Sequence, residues 1–226
     1  MSIDADKSGK AAVRGFYDIW GPLYTRLRDL GRDDHEDKSV LIEALAPFDN
    51  DTVLDVGTGP GAYALRVADR AVDCRVIGID LSPAFIEIAS RRAAEREMEN
   101  IEFRLGDIED LGFADGLFSK VLCAGVLSVV RDRRAAVAEM ARVLRPRGCL
   151  AVREPVRSDG PLARFFASRS PGSATRHVGS GIGLMFGHFS PDFMTGEELR
   201  ALFDGGLFSE VAFVEYASDL VVTATK

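Results

Sequence analysis

Residues 53–61, Val53-Leu-Asp-Val-Gly-Thr-Gly-Pro-Gly61, constrain this chain more than any other stretch. A short apolar run breaks into glycines at the alternate positions Gly57, Gly59 and Gly61, and a helical pattern follows over residues 62–68. The order predicts strand, tight turn, helix. Glycine permits positive φ and close approach of another molecule to the main chain. In open α/β sheets, ligands bind at the carboxyl ends of the strands, and a helix start offers unpaired N–H groups. The stretch therefore predicts a nucleotide-like cofactor at the first βα turn.

The remainder of the chain must supply the sheet. Strand patterns at 75–79, 101–105, 120–124 and 149–153 alternate with helical patterns at 83–97 and 134–143. Such alternation predicts an α/β fold, a mostly parallel, Rossmann-like sheet with helices on both faces. Ser82-Pro83 reads as an N-cap with proline at the first helical position. Leu144-Arg-Pro-Arg-Gly148 reads as a helix end. After a final helix at 197–203, with Thr195 and Glu198 at capping-box spacing, segments 208–216 and 220–224 read as an antiparallel C-terminal hairpin, giving seven strands. Before the sheet, residues 1–12 look frayed. Phe16, Ile19, Trp20, Leu23 and Leu27 follow at helical spacing, with a break expected at Gly21-Pro22. The division expected within a single domain is 1–48 helical lid, 49–154 cofactor-binding core, 155–195 insertion over the active site, and 196–226 helix and edge hairpin. The insertion holds Pro155, Pro161, Pro171 and Pro191 and an apolar patch at 182–186, and loops of such length are usually functional or mobile.

Charge and cysteine usage narrow the partners. A formal net charge of −7 over 226 residues, with no dense Lys/Arg run, argues against a nucleic-acid binder. Cys74, Cys123 and Cys149 sit apart in apolar segments, without metal-ligand spacing, and read as buried thiols of a reducing compartment. No metal site is expected. No apolar run approaches the ~18–20 residues of a spanning helix and the N-terminus has no signal-peptide pattern, so the expected location is cytoplasmic.

Two cofactors compete for the glycine turn. Residues 57–62 satisfy the looser dinucleotide fingerprint, and an acid ending the second strand, Asp80, suits the ribose diol of either ligand. Asp55, two residues before Gly57, would repel a pyrophosphate but suits the cationic amino-acid end of S-adenosylmethionine. Asp107 follows the third strand, where an acid accepts from an adenine amino group and Ile108 offers its N–H to the ring. The terminal hairpin is foreign to a purely parallel dinucleotide fold. No tyrosine has lysine four residues on, which removes the acid/base pair of short-chain dehydrogenases.

The sequence resembles the class I S-adenosylmethionine-dependent methyltransferases, of the type acting on small molecules and quinone precursors. The matching residues are those at 53–61, Val76-Ile-Gly-Ile-Asp-Leu-Ser-Pro83, Gly106-Asp-Ile108 and Glu139-Met-Ala-Arg-Val-Leu-Arg-Pro-Arg-Gly148, in family order. The resemblance implies that Gly57, Thr58, Gly59 and Gly61 line the methionine portion, with Asp55 nearby. It implies that Asp80 holds the ribose, Leu81 packs on adenine, and Asp107 and Ile108 contact the base. Cys123 or Ala124 would meet the amino-acid portion through backbone atoms. Phe16-Tyr-Asp-Ile-Trp-Gly-Pro-Leu-Tyr24 is similar to a family segment that folds over the cofactor, making Tyr17 and Tyr24 candidates for closing on its methionine end. Ser119, Ser128 and Thr25 depart from the family pattern.

Catalytic groups are harder to name, because methyl transfer needs a general base only when the nucleophile must lose a proton. His177 and His188 fall in the insertion, and His188, between Phe186 and Phe189, is the better candidate. Glu154, ending the fifth strand, is a second candidate, for orienting substrate. The expected partner is a small, partly apolar methyl acceptor. The alternatives are a phospholipid or quinone-precursor methyltransferase at a membrane surface, and a non-catalytic S-adenosylmethionine-binding protein.

Overall fold

The computed structural model describes residues 3–30, 35–157, 192–216 and 219–226. Its strands are β1 (Thr52–Val56), β2 (Arg75–Asp80), β3 (Ile101–Leu105), β4 (Phe118–Ala124), β5 (Leu144–Pro155), β6 (Glu210–Tyr216) and β7 (Asp219–Thr225). They form one seven-stranded sheet in the order β3-β2-β1-β4-β5-β7-β6. The first five pair in parallel, and β7 runs antiparallel between β5 and β6. Sequence order reverses between β1 and β4. That reversal is the switch point above which open α/β sheets hold their ligands.

The described helices are α1 (Ile3–Leu30), α2 (His35–Leu45), α3 (Ala62–Arg70), α4 (Pro83–Glu95), α5 (Arg133–Val143) and α6 (Gly196–Ala201). Side chains alternate across the sheet, so β1 serves two cores. Val53 packs with Leu41 and Leu45 of α2 and Val67 of α3. Leu54 and Val56 pack with Val137 and Met140 of α5 and Leu199 of α6. Asp55 shares the face of Val53 and so points toward the start of α3, where a carboxylate can meet unpaired N–H groups.

Local signals settle several helix ends. Ser82 Oγ accepts from the Phe85 N–H at 3.3 Å, with Pro83 opening α4. Thr195 and Glu198 form the reciprocal capping box at α6. Two expectations are corrected. The chain does not fray over residues 3–12 or break at Gly21-Pro22; α1 is one helix with Pro22 inside it. Proline costs the helix a hydrogen bond, but tertiary contacts on both sides hold the rod. Gly21 sits so close to the Phe85 ring that an added Cβ would lie 3.0 Å from it. Tyr17 meets the same ring at 5.3 Å, and Ser82 Oγ donates to Asp18 at 2.6 Å. The second correction concerns Pro146 and Gly148: the helix ends at Val143 as expected, but these residues already belong to β5, where Arg147 between them takes a positive φ of 61°. Leu144 already pairs with Phe118, and the register shifts between Phe118 and Lys120, an irregularity of the kind that admits proline into a sheet.

Candidate functional site

A cavity of about 550 Å³ opens at the carboxyl ends of the parallel strands, within the range usual for small-molecule sites. The glycine turn, Asp80 and Leu81 after β2, Asp107 and Ile108 after β3, and Ala124 after β4 all line it. These are residues that the sequence singles out, brought from four strand ends to one space. Tyr17 joins them from α1.

The three glycines have different tasks. All have positive φ, at +69°, +53° and +82° for Gly57, Gly59 and Gly61. A Cβ on Gly57 would strike Val126 Cγ2 at 2.3 Å, whereas one on Gly59 would meet nothing within 4 Å. Gly59 thus leaves open space at the cavity, a cradle in which another molecule can lie against the main chain. Gly61 is not among the lining residues. Its missing Cβ would meet Ala89 of α4 and Phe103 of β3, each at 3.0 Å. Its lack of a Cβ thus serves close packing under the turn.

The acids are held by main-chain N–H groups and one hydroxyl. Asp55 accepts from Thr58 Oγ1 at 2.7 Å and from the Ala64 N–H at 3.2 Å. Burial nonetheless pushes its carboxyl up to about 7, with the nearby Asp80 adding to the shift. Asp80 accepts from the Gly59 and Ser82 N–H groups, each at 2.9 Å. It thereby ties the glycine turn to the start of α4, and burial raises its carboxyl too. A cationic ligand group beside Asp55 would favour the ionised carboxylate, which matches the amino-acid end of S-adenosylmethionine.

Stability should record the buried Asp55. A carboxyl raised in the folded state favours folding fully below its unfolded value near 4, and that contribution is lost as pH rises through about 7. The melting temperature is expected to fall by about 5 °C or more from mildly acid to mildly alkaline buffer. Asp55→Asn should reduce this dependence, as differential scanning calorimetry can measure, with the buried Glu154 contributing what remains.

On the α1 side of the cavity, Tyr17 was expected from the sequence but its neighbours were not. Lys10, Val13, Arg14 and Tyr17 line it at i, i+3, i+4 and i+7 spacing, one helical face. Lys10 donates to Asp107 at 2.7 Å and lies 2.5 Å from Glu109. Burial opposes its charge, but the two carboxylates hold the ammonium above its ordinary range. Reading residues 1–12 as frayed hid this contact, although the periodicity from Lys10 to Tyr17 was available. On the opposite wall, Ser128 stands at a position that the family resemblance had marked, whereas Arg131, Arg133 and Asp192 were missed. Arg133 donates to the Leu127 carbonyl and to the Asp192 carboxylate and carbonyl, a contact spanning far too much sequence for any local pattern.

Other candidates are placed elsewhere. Cys123 is fully buried beneath the cavity, its thiol pushed up by burial and by the nearby Glu154 and Asp55, while its neighbour Ala124 lines the space. Glu154 is also fully buried and does not line the cavity. Its oxygens accept from the loop after β4, so it is not positioned to touch a substrate. His177, His188 and the side chain of Tyr24 lie outside the described residues.

Comparisons with known proteins identify the family. Residues 53–148 match the family model for a methyltransferase domain. A demethylmenaquinone methyltransferase of Deinococcus radiodurans is 33% identical over 154 residues, spanning 67% of this chain and 63% of the relative. A ubiquinone/menaquinone biosynthesis C-methyltransferase of Paracoccus denitrificans is 31% identical over 169 residues, covering 73% and 67% of the two chains. Among solved structures, the [4+2]-cyclase SpnF superimposes with a TM-score of 0.73 at 18% identity, over 95% of this chain and 94% of that one, a likeness of fold alone. The chain belongs to the class I S-adenosylmethionine-dependent methyltransferases.

Proposed function

We propose that the protein transfers a methyl group from S-adenosylmethionine to a small, partly apolar acceptor. The observation that carries this reading is the convergence of Asp55, Gly59, Asp80 and Asp107 on one cavity. In it, Asp80 accepts from the ribose hydroxyls, Leu81 packs on adenine, and Asp107 and Ile108 meet its edge. Gly57, Thr58, Gly59 and Ala124 border the amino-acid portion, with Asp55 beside its cationic end. Tyr17 closes on it from α1.

When bound, S-adenosylmethionine supplies a methyl group on a positively charged sulfur, so the leaving group is neutral. The protein's own task is then alignment and exclusion of water. The α1 face with Val13 and Tyr17, and the wall with Val126, Val129 and Val130, suit both needs. A base enters only for an acceptor that must lose a proton, such as a phenol or an enolisable carbon.

The test is calorimetric titration with S-adenosylmethionine, followed by transfer of its labelled methyl group into a panel of phenols, quinols, amines and thiols. Tight binding and labelling of at least one acceptor class are expected. Absence of binding would remove the reading. Binding without transfer to any acceptor would favour a non-catalytic S-adenosylmethionine-binding protein.

A second reading, methylation of a quinone precursor or phospholipid at a membrane surface, draws support from the two quinone-pathway relatives. It is also favoured by Ile19, Trp20 and Leu23 of α1, which are 72%, 38% and 37% exposed along the lid helix. No described helix is long and apolar enough to cross a membrane, so contact would be peripheral. Co-flotation with phospholipid vesicles, lost on Trp20→Ser, is the expected result for this reading; protein left at the bottom of the gradient would exclude it.

A further inference from the structure

Glu154 lies near the carboxyl end of β5 and is fully buried. One carboxylate oxygen accepts from the Val126 and Leu127 N–H groups at 2.7 and 2.8 Å. The other accepts from the Ser128 N–H at 3.3 Å and from Ser128 Oγ at 2.9 Å. Three successive N–H groups turned on one point form an anion-binding concavity, here filled by a side chain from the adjacent strand. Without it, these buried donors would lack partners.

The loop so held forms part of the cavity. Gly125, Val126 and Ser128 line it, and Val126 occupies the space where Gly57 lacks a Cβ, 2.3 Å from that point. The four partners of Glu154 are dipoles, with no cation from Arg153. That guanidinium is engaged with Asp219 and with the Tyr63 hydroxyl, as expected for adjacent residues on opposite faces of a strand. Hydrogen bonds favour the ionised carboxylate, while burial pushes its pKa up to about 7, so the clamp costs folding free energy that a purely structural apolar residue would not. In some proteins a buried polar group of this kind specifies a geometry at a cost in stability.

We propose that Glu154 is a positioning residue, whose carboxylate fixes the main chain of residues 126–128 and so sets Val126 against Gly57 at the methionine end of the cofactor site. It touches neither cofactor nor acceptor. The inference rests on the placement of the cofactor given above and adds a selectivity to it. Loss of the clamp disturbs binding of the amino-acid portion and spares that of the adenosine portion, whose partners Asp80, Leu81 and Asp107 lie on other strand ends.

The test compares wild type, Glu154→Gln and Val126→Ala by calorimetry with two probes. S-Adenosylhomocysteine carries the amino-acid portion and 5′-methylthioadenosine lacks it. Glu154→Gln is expected to weaken S-adenosylhomocysteine at least tenfold and to leave methylthioadenosine within twofold, with faster hydrogen exchange at the amides of residues 126–128. Val126→Ala should weaken only S-adenosylhomocysteine, by about threefold, and serves if Glu154→Gln does not fold. Equal weakening of both probes, or unchanged S-adenosylhomocysteine affinity, would overturn the proposal. Wild type that bound neither probe would instead remove the cofactor placement, and the proposal with it.

Discussion

Alanine at position 57 is expected to lower the melting temperature by about 5–15 °C and to weaken S-adenosylmethionine binding more than tenfold. Two effects add. Gly57 has φ +69°, a conformation that costs a residue with a Cβ about 1–2 kcal/mol. The new methyl would also lie 2.3 Å from Val126 Cγ2 and 2.9 Å from Cγ1, and overpacking of this kind costs about 1–3 kcal/mol. A domain of this size loses roughly 2–4 °C per kcal/mol. Gly59→Ala is the informative comparison. Its φ is +53°, so it carries the conformational cost of about 1 kcal/mol, but no protein atom lies within 4 Å of the added carbon. Its main effect should fall on binding, because the methyl group enters the open space against which the cofactor lies. Calorimetry and thermal unfolding separate the two. Equal losses of stability would contradict the division of labour between the glycines.

Asp80→Ala is expected to weaken S-adenosylmethionine about 10- to 100-fold. Hydrogen bonds to a charged group contribute about 1.5–3 kcal/mol, and each 1.4 kcal/mol is a factor of ten in affinity. The carboxylate acts at two levels. It offers acceptor capacity to a ribose diol, and through the Gly59 and Ser82 N–H groups it joins the glycine turn to α4. Asp80→Asn keeps one oxygen for these donors and should fall between alanine and wild type. An alanine variant that bound within twofold of wild type would disprove the ribose role.

The frame of this site is legible in the chain because its signals are local. Residues 53–61 announce a strand, a turn needing positive φ and a helix start. Asp80 and Asp107 stand just after strand patterns, where parallel strands must present their carboxyl ends on one side. The Thr195/Glu198 capping box and the antiparallel hairpin are readable for the same reason. Pro22 misleads, since its local effect on a helix is real but smaller than the packing of Tyr17, Gly21 and Asp18 against α4. Pro146 misleads similarly, because a break in sheet register is invisible until the partner strand is known.

The residues that escaped reading are those whose roles depend on distant neighbours. Lys10 meets Asp107 across 97 positions, and Arg133 meets Asp192 across 59. Glu154 ends a strand and was expected to face substrate, yet its carboxylate turns to three amides 26–28 residues earlier. Gly61 belongs to a motif but answers to Ala89 and Phe103. By itself the sequence determined the strand–turn–helix unit, the parallel sheet and the acids at its carboxyl ends, since hydrophobic period and glycine φ act over a few residues. Only the tertiary structure decided which acid faces the cavity and which is spent on a loop, and which residues of α1 line the site. Those outcomes depend on strand order and on the crossing of α1 over α4, which bring together groups that no local pattern relates.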